Sequence, residues 1–187
     1  MANSLVYSMG VSLDGFIADR DGDFLWSKPS DEQFEFHIEE VLGLGAFVCG
    51  RKLYETMLVW ETEPMMRDTE PGRRFADAWC AVPKVVFSRS LHTVEGNATL
   101  ATDSLAEEIA NALASTDKDV AIGGATLAKA AIERGLVDDF RMFRHPVIVG
   151  GGTSFLPPVV DAIQLELIET KVYGFEVQYE RYRRVAP

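Results

Sequence analysis

Apolar positions along this chain follow two rhythms. Short apolar runs, Leu5 to Val11, Ala46 to Cys49, Lys84 to Ser88 and Val120 to Ile122, read as buried strands. Between them apolar residues return every three or four positions, which predicts helices. Phe34, Ile38, Val41 and Leu42 form one such stripe, and Leu105, Ile109, Ala112 and Leu113 another. Leu53 to Leu58, Arg73 to Val82 and Thr126 to Arg134 also read as helical. The punctuation agrees. Ser30 with Gln33 and Ser104 with Glu107 have capping-box spacing, Pro83 stops one helix, Gly43 or Gly45 a second, and Gly135 a third. Asp19 to Asp23 reads as a solvated turn, and Glu61 to Gly72 as polar and irregular. Leu136 to Val149 is a long strand-like run broken at Pro146, followed by a glycine-rich loop, Gly150 to Ser154. Leu165 to Tyr173 and Phe175 to Arg183 read as an antiparallel hairpin around Gly174. Strands alternating with helices predict an α/β fold, and the terminal hairpin makes the sheet mixed and mostly parallel.

Composition narrows the classes. A chain of 187 residues is expected to form one domain, 1–187, burying roughly 70% of its unfolded surface. Hydrophobic residues make up 47% and charged residues 25%, which are globular values. No run approaches the roughly 20 apolar residues of a membrane helix, and the first residues lack the pattern of a secretory signal. Cys49 and Cys80 make neither a disulfide framework nor a zinc spacing, so a reducing, cytoplasmic location is expected. His37, His92 and His145 lie far apart, and Asp19 to Asp23 lacks the closing Glu of a calcium loop, so no metal is expected. A net charge of −11 argues against nucleic acid, yet leaves room for a small phosphorylated ligand held by local arginines and backbone amides.

Three strand ends carry turns suited to phosphate: Gly50-Arg51-Lys52, Ser88-Arg89-Ser90 and Gly123-Gly124-Ala125-Thr126. Paired glycines between a strand and a helix let backbone N–H groups face an anion. Arg51 and Arg89 can grip phosphate in a bidentate way. Each turn alone fits a plain strand-to-helix connection with surface arginines better than a ligand site; three of one type at the carboxyl ends of strands favour a ligand with several phosphates, such as a 2′-phosphorylated dinucleotide. The Gly-x-Gly-x-x-Gly fingerprint and the nucleophile elbow are both missing.

These residues carry a resemblance. Gly50-Arg51-Lys52-Leu53-Tyr54-Glu55 resembles the Gly-Arg-Lys-Thr-Trp/Tyr-Glu segment of dihydrofolate reductases. Ser88-Arg89, Ile122-Gly123-Gly124 and Trp26-Ser27-Lys28-Pro29-Ser30-Asp31 are similar to their Ser-Arg turn, Gly-Gly turn and Trp-x-x-Pro-x-Asp/Glu segment. The reductase domain of the bacterial bifunctional riboflavin-biosynthesis deaminase–reductase is a closer likeness. Ser12-Leu13-Asp14-Gly15-Phe16-Ile17-Ala18, Gly124-Ala125-Thr126-Leu127, Gly135-Leu136-Val137-Asp138-Asp139-Phe140 and Pro146-Val147-Ile148-Val149-Gly150-Gly151 resemble its motifs.

The resemblance implies a three-layer α/β/α dihydrofolate reductase-like fold, NADPH as cofactor and an assembly that is often a homodimer. It would place Gly50, Arg51 and Lys52 at the cofactor phosphates, Ser88 and Arg89 near the adenosine 2′-phosphate, Gly123, Gly124, Ala125, Thr126 and Leu127 around the pyrophosphate, and Gly15 and Phe16 along the nicotinamide. Asp31 is the candidate catalytic carboxylate, and equally a helix first-turn carboxylate. Trp26, Asp31, Gly151 and Thr153 are the candidate substrate contacts; for Trp26 a core position, and for the glycine loop a plain hairpin loop, fit as well. Two departures stand out. Leu127 or Ala128 stands where dihydrofolate reductases usually carry Tyr, and Ile122 where the riboflavin reductases usually carry Glu. No deaminase segment accompanies the motifs, so a stand-alone reductase is expected, acting on a pyrimidine- or pterin-like substrate. The first choice is a 5-amino-6-(5-phosphoribosylamino)uracil reductase; dihydrofolate reductase and a non-catalytic NADPH-binding module are the alternatives.

Overall fold

The computed structural model describes residues 3–174 and 176–185. Strand β1 (Leu5–Ser12) leads through β2 (Phe16–Ala18) and a 3₁₀ turn (Leu25–Ser27) to helix α1 (Asp31–Leu42). Then come β3 (Leu44–Gly50), α2 (Arg51–Met57), the single turn α3 (Val59–Thr62), a second 3₁₀ turn (Pro64–Arg67) and α4 (Glu70–Ala81). β4 (Lys84–Phe87), β5 (Ala98–Leu100), α5 (Leu105–Ala114), β6 (Asp119–Gly123), α6 (Ala125–Glu133) and β7 (Asp139–His145) follow. β8 (Thr153–Ser154), β9 (Leu165–Tyr173) and β10 (Val177–Arg184) close the described chain.

Eight strands form one sheet in the order β5-β4-β3-β6-β1-β7-β10-β9. The first six run parallel, and β10 and β9 add an antiparallel pair at one edge. β2 and β8 make a separate two-stranded ribbon. Parallel strands need both faces covered. On one face, Leu5, Tyr7 and Val11 of β1, Val48 of β3 and Ile122 of β6 pack on Ile109 of α5 and Ala128, Ala131 and Ile132 of α6. On the other, Phe47 of β3 meets Ile38 and Val41 of α1 and Phe75, Ala78 and Trp79 of α4. Phe36 of α1 covers Phe143, Tyr173, Val177 and Tyr179 on the hairpin side. The three-layer architecture follows from these two apolar faces.

A buried charge cluster ties the middle of the sheet together. Asp139, fully buried, accepts from Arg141 Nε at 2.9 Å and pairs with Arg181 Nη2 at 2.7 Å. Arg141 also reaches Glu40 of α1 at 3.1 Å. At the opposite side Lys84, 2% exposed, donates to the Trp79 and Val82 carbonyls at 2.7 and 3.1 Å and pairs with Glu61 at 3.2 Å.

The structure departs from the sequence reading at several boundaries. The run from Leu136 to Val149 is strand only over β7. Gly135, at φ +67°, turns the chain back so that Leu136 N–H bonds the Ala131 carbonyl, and Pro146 has no N–H to continue the ladder. The polar stretch from Glu61 to Gly72 is not irregular throughout: it holds the end of α3, a 3₁₀ turn and the start of α4, which Thr69 caps by accepting from Gly72 N–H. Ser30 caps α1 through Gln33 N–H at 3.3 Å, but the Gln33 side chain turns inward to His37 Nε2, so the reciprocal half of that box is not made. At Ser104 both halves are made. The terminal hairpin forms as expected, with Phe175 outside the described residues.

Asp139→Ala would leave two guanidinium groups without their shared buried partner. The expected loss is about 3–5 kcal/mol of stability, read as a lower urea midpoint with an unchanged slope.

Candidate functional site

The parallel strands end together on one edge, the usual place for a ligand in an α/β sheet. β6 ends in Gly123, and a Cβ there would overlap Leu53 of α2 and the ring of Phe47. Gly124 follows at φ +90°, a backbone state costly for other residues, and turns the chain into α6. A Cβ on Gly124 would stand 3.7 Å from the Gly50 nitrogen, so the turns after β3 and β6 abut. No side chain caps α6, which leaves its first N–H groups to a ligand.

Around these turns opens a cleft of about 640 Å³. Gly50, Arg51, Lys52, Gly124, Ala125, Thr126 and Leu127 line it. Met9, Gly10, Phe24, Ser27, Thr56 and Met57 line it as well, with Thr153 and Ala18 contributed by the β2–β8 ribbon. In a chain of net charge −11, the charged side chains among the described lining residues are the cations Arg51 and Lys52. Arg51 is paired with Glu55 at 3.2 Å, an exposed contact within one helix that is worth little and is readily exchanged for a phosphate.

A network on the β1 side holds the glycine loop in place. The Ser12 hydroxyl donates to Asp14 Oδ1 at 2.7 Å and accepts from Phe16 N–H at 2.9 Å. Asp14 in turn accepts from Val149 and Gly150 N–H, at 3.2 and 2.7 Å. The Arg20 guanidinium donates to the Gly150 carbonyl. The Ser12 hydrogen bond, followed by those from Gly150 and Val149, holds the Asp14 carboxyl below the ordinary carboxylate range despite some opposing desolvation.

Of the residues singled out in the sequence, the structure brings Gly50, Arg51, Lys52, Gly124, Ala125, Thr126, Leu127 and Thr153 into the cleft wall. Gly123 lies buried directly beneath it. Phe16 stands on the ribbon, paired with Ser154, and Gly15 in the turn just before it, both outside the lining. Ser88 accepts from Ser90 and Leu91 N–H in the turn after Phe87, and Arg89 is exposed beside it. Asp31 is exposed as the first residue of α1. Trp26 packs edge-on against His145 at 5.9 Å and lines a separate concavity of about 360 Å³. Gly151 sits against Arg20. Met9, Gly10, Phe24, Ser27, Thr56 and Met57 were not singled out; apolar residues and isolated hydroxyls carry no motif. Ser27 nonetheless falls inside the Trp26–Asp31 segment. A further concavity of about 700 Å³ lies between the end of α6 and residues 158–164.

The RibD C-terminal domain family matches residues 3–179. This chain belongs to that family. YyaP, an uncharacterized protein of Bacillus subtilis (strain 168), is 27% identical over 173 residues, 91% of this chain and 89% of that protein. A candidate riboflavin biosynthesis protein from Shewanella sp. PV-4 superposes with a TM-score of 0.78 at 20% identity, over 98% of this chain and 99% of that one. A Thermotoga maritima diaminohydroxyphosphoribosylaminopyrimidine deaminase/5-amino-6-(5-phosphoribosylamino)uracil reductase gives 0.66 at 18% identity, over 98% of this chain but 57% of that one. Enterococcus faecalis dihydrofolate reductase, complexed with NADP(H), gives 0.63 at 18% identity, over 98% of both chains. The fold is therefore dihydrofolate reductase-like, and membership of the RibD C-terminal domain family supports a reductase-type enzyme.

Because the folded Asp14 carboxyl is depressed, its tie to the loop is present above the usual carboxylate range and is lost only as the pH falls through the lowered value. Val149 and Gly150 amides are expected to keep their hydrogen-exchange protection from pH 7 to pH 5, whereas Asp14→Ala removes most of it at pH 7.

Proposed function

We propose that this chain is a single-domain, NADPH-dependent reductase, 1–187, that transfers hydride to a small pyrimidine- or pterin-like substrate. The observation that carries the reading is the cleft itself, in which two cations and an uncapped helix N-terminus converge at abutting glycine turns. The residues present fit such a cofactor. Gly124 to Leu127 would hold the pyrophosphate, and Arg51 and Lys52 the neighbouring phosphates. Ser88 and Arg89 would take the 2′-phosphate, and Gly15 and Phe16 would border the nicotinamide side. Bound NADPH supplies the hydride; the chain's share is to orient the two reactants and exclude water from between them.

The family supports a 5-amino-6-(5-phosphoribosylamino)uracil reductase as the first substrate class to assay. Dihydrofolate reduction is the alternative, and one observation weighs against it. Asp31, the carboxylate proposed to read an aminopyrimidine edge, is exposed at the start of α1. A non-catalytic NADPH-binding module would retain cofactor binding without turnover on either substrate.

The buried Cys49 and the partly buried Cys80, both free, support a cytoplasmic setting. No helix among the described residues is long and apolar enough to cross a membrane. A homodimer is supported by β9, an edge strand exposed along its whole length except Tyr173, with Leu167 and Val172 among its exposed residues. Leu167→Lys is then expected to convert a dimer to a monomer in sedimentation.

NADPH consumption followed at its absorbance band, with each of the two substrates, tests the reading. Arg89→Ala is expected to raise the dissociation constant of NADPH by about tenfold or more and to leave NADH unchanged; equal weakening of both would reject its place at the 2′-phosphate. Asp31→Asn is expected to leave turnover unchanged, and a large loss would restore it to the mechanism.

A further inference from the structure

His145 closes β7 opposite Ser12 of β1 and is 4% exposed. Its Nε2 is buried and has no hydrogen-bond partner among the described residues. A buried polar atom left in that state calls for a cause. The surroundings of Gly10 supply one. The point at which a side chain on Gly10 would begin lies 3.4 Å from His145 Nε2 and 3.4 Å from Ser27 Oγ. Gly10 and Ser27 both line the cleft. The unpartnered nitrogen therefore stands directly behind the cleft wall, near a hydroxyl that belongs to it. The same ring lines the second concavity, of about 360 Å³, with Trp26, Lys28 and Tyr173.

The cleft itself lacks an acid. No carboxylate, imidazole, thiol or phenol stands among its described lining residues, and its cations, Arg51 and Lys52, follow the Gly50 turn. Reducing a double bond between carbon and a heteroatom requires hydride on the carbon and a proton on the heteroatom. A hydroxyl passes a proton on but is too weak an acid to originate one. Ser27 Oγ donates to the Phe24 carbonyl at 2.7 Å, so its lone pairs remain free to accept.

We propose that His145 and Ser27 form a proton relay through the wall of the cleft, from the second concavity to the substrate. The proposal rests on the reductase reading above and deepens it by naming the source of the proton. Solvent protonates the imidazole from the side of the concavity. The imidazolium gives its Nε2 proton to Ser27 Oγ. The hydroxyl's own proton, swung off the Phe24 carbonyl by rotation about the Cβ–Oγ bond, passes to the substrate heteroatom. As hydride reaches the carbon, the π pair of the reduced bond moves to the heteroatom and forms its new bond to hydrogen. One hydride and one solvent proton are consumed, and the imidazole ends neutral. Burial, with His37 of α1 adding to it, pushes the imidazole below its ordinary pKa. The protonated ring is then a minor species but a stronger acid. Besides His37, the titratable groups around the ring are Tyr173 of β9 and, along the concavity, Lys28 and Glu176.

The test joins two measurements on the full chain. One is the single-turnover rate of protein loaded with NADPH, on whichever of the two substrates named above is reduced. The other is the nitrogen NMR signal of the His145 ring in the NADP+-bound protein, assigned by its loss in His145→Gln. The relay needs the protonated ring, so the rate is expected to fall about tenfold per pH unit above about pH 7. His145→Gln is expected to be about 100-fold slower and flat over that range, with NADP+ affinity unchanged. Ser27→Ala is expected to be as slow, and Ser27→Thr to recover most of the rate. The His145 signal is expected to titrate with a midpoint below the ordinary imidazole value. A His145→Gln rate within about threefold of the unsubstituted protein, a pH slope that survives that substitution, or a ring signal that does not titrate would overturn the relay and leave the reductase reading standing. If His145→Gln fails to fold, seen as loss of NADP+ binding, Ser27→Ala decides, and a rate within about threefold overturns the relay. Turnover of neither substrate removes the reductase reading and the relay with it.

Discussion

Leu53 fills the space that a side chain on Gly123 would need. That contact sets the geometry of the whole carboxyl edge. β6 must end without a side chain so that α2 can lie across it, and α2 in that position brings the turn after β3 against the turn after β6. Gly124 then has to change direction at once, which its positive φ allows. The result is a cleft lined by the backbone of both turns together with Leu53, Arg51 and Lys52. A methyl group at Gly123 would push α2 outward and separate the two turns, so the anion-facing groups depend on a packing contact that never touches a ligand.

Charge is distributed with similar economy. Most acidic residues of this strongly acidic chain lie away from the cleft. Several are engaged in structure: Asp139 and Glu40 with Arg141, Glu61 with Lys84, and Asp14 with the loop at Gly150. The cluster at Asp139 lies where β1, β7 and β10 run side by side, so the antiparallel edge is joined to the parallel part by ion pairs as well as by the ladder. The charged side chains left among the described lining residues of the cleft are both cations, Arg51 and Lys52.

Much of this was legible in the residues. Alternating strand and helix patterns, two serine caps and the terminal hairpin are local signals, and they gave the α/β class and the mixed sheet, while the three layers came from the family resemblance. Glycine and arginine at strand ends are local as well, and the turns at Gly50 and Gly124 do share a cleft. The long run from Leu136 failed because apolar content cannot tell a strand from a turn that packs under one. The stretch from Glu61 failed because α3 and the 3₁₀ turn are too short to show a period. Asp31 and Trp26 stood in a suggestive motif, yet a motif does not encode which way a helix start faces: the first points to solvent and the second toward His145. Ser27 and Thr56 escaped notice because an isolated hydroxyl carries no motif, and only the folded chain brings them to the cleft wall.

The connection from β7 to β9 is fastened twice and then released. Asp14 holds it at Val149 and Gly150, and Phe155, 3% exposed, stacks on Tyr7 at 4.6 Å. Beyond that anchor Val159 and Val160 are exposed, Val160 completely. A stretch fixed upstream and open downstream can absorb added length without disturbing either end. Residues near Val160 are therefore the natural place to splice in a tag or fluorophore, on the far side of two anchors from the cleft, so that binding can be watched from outside.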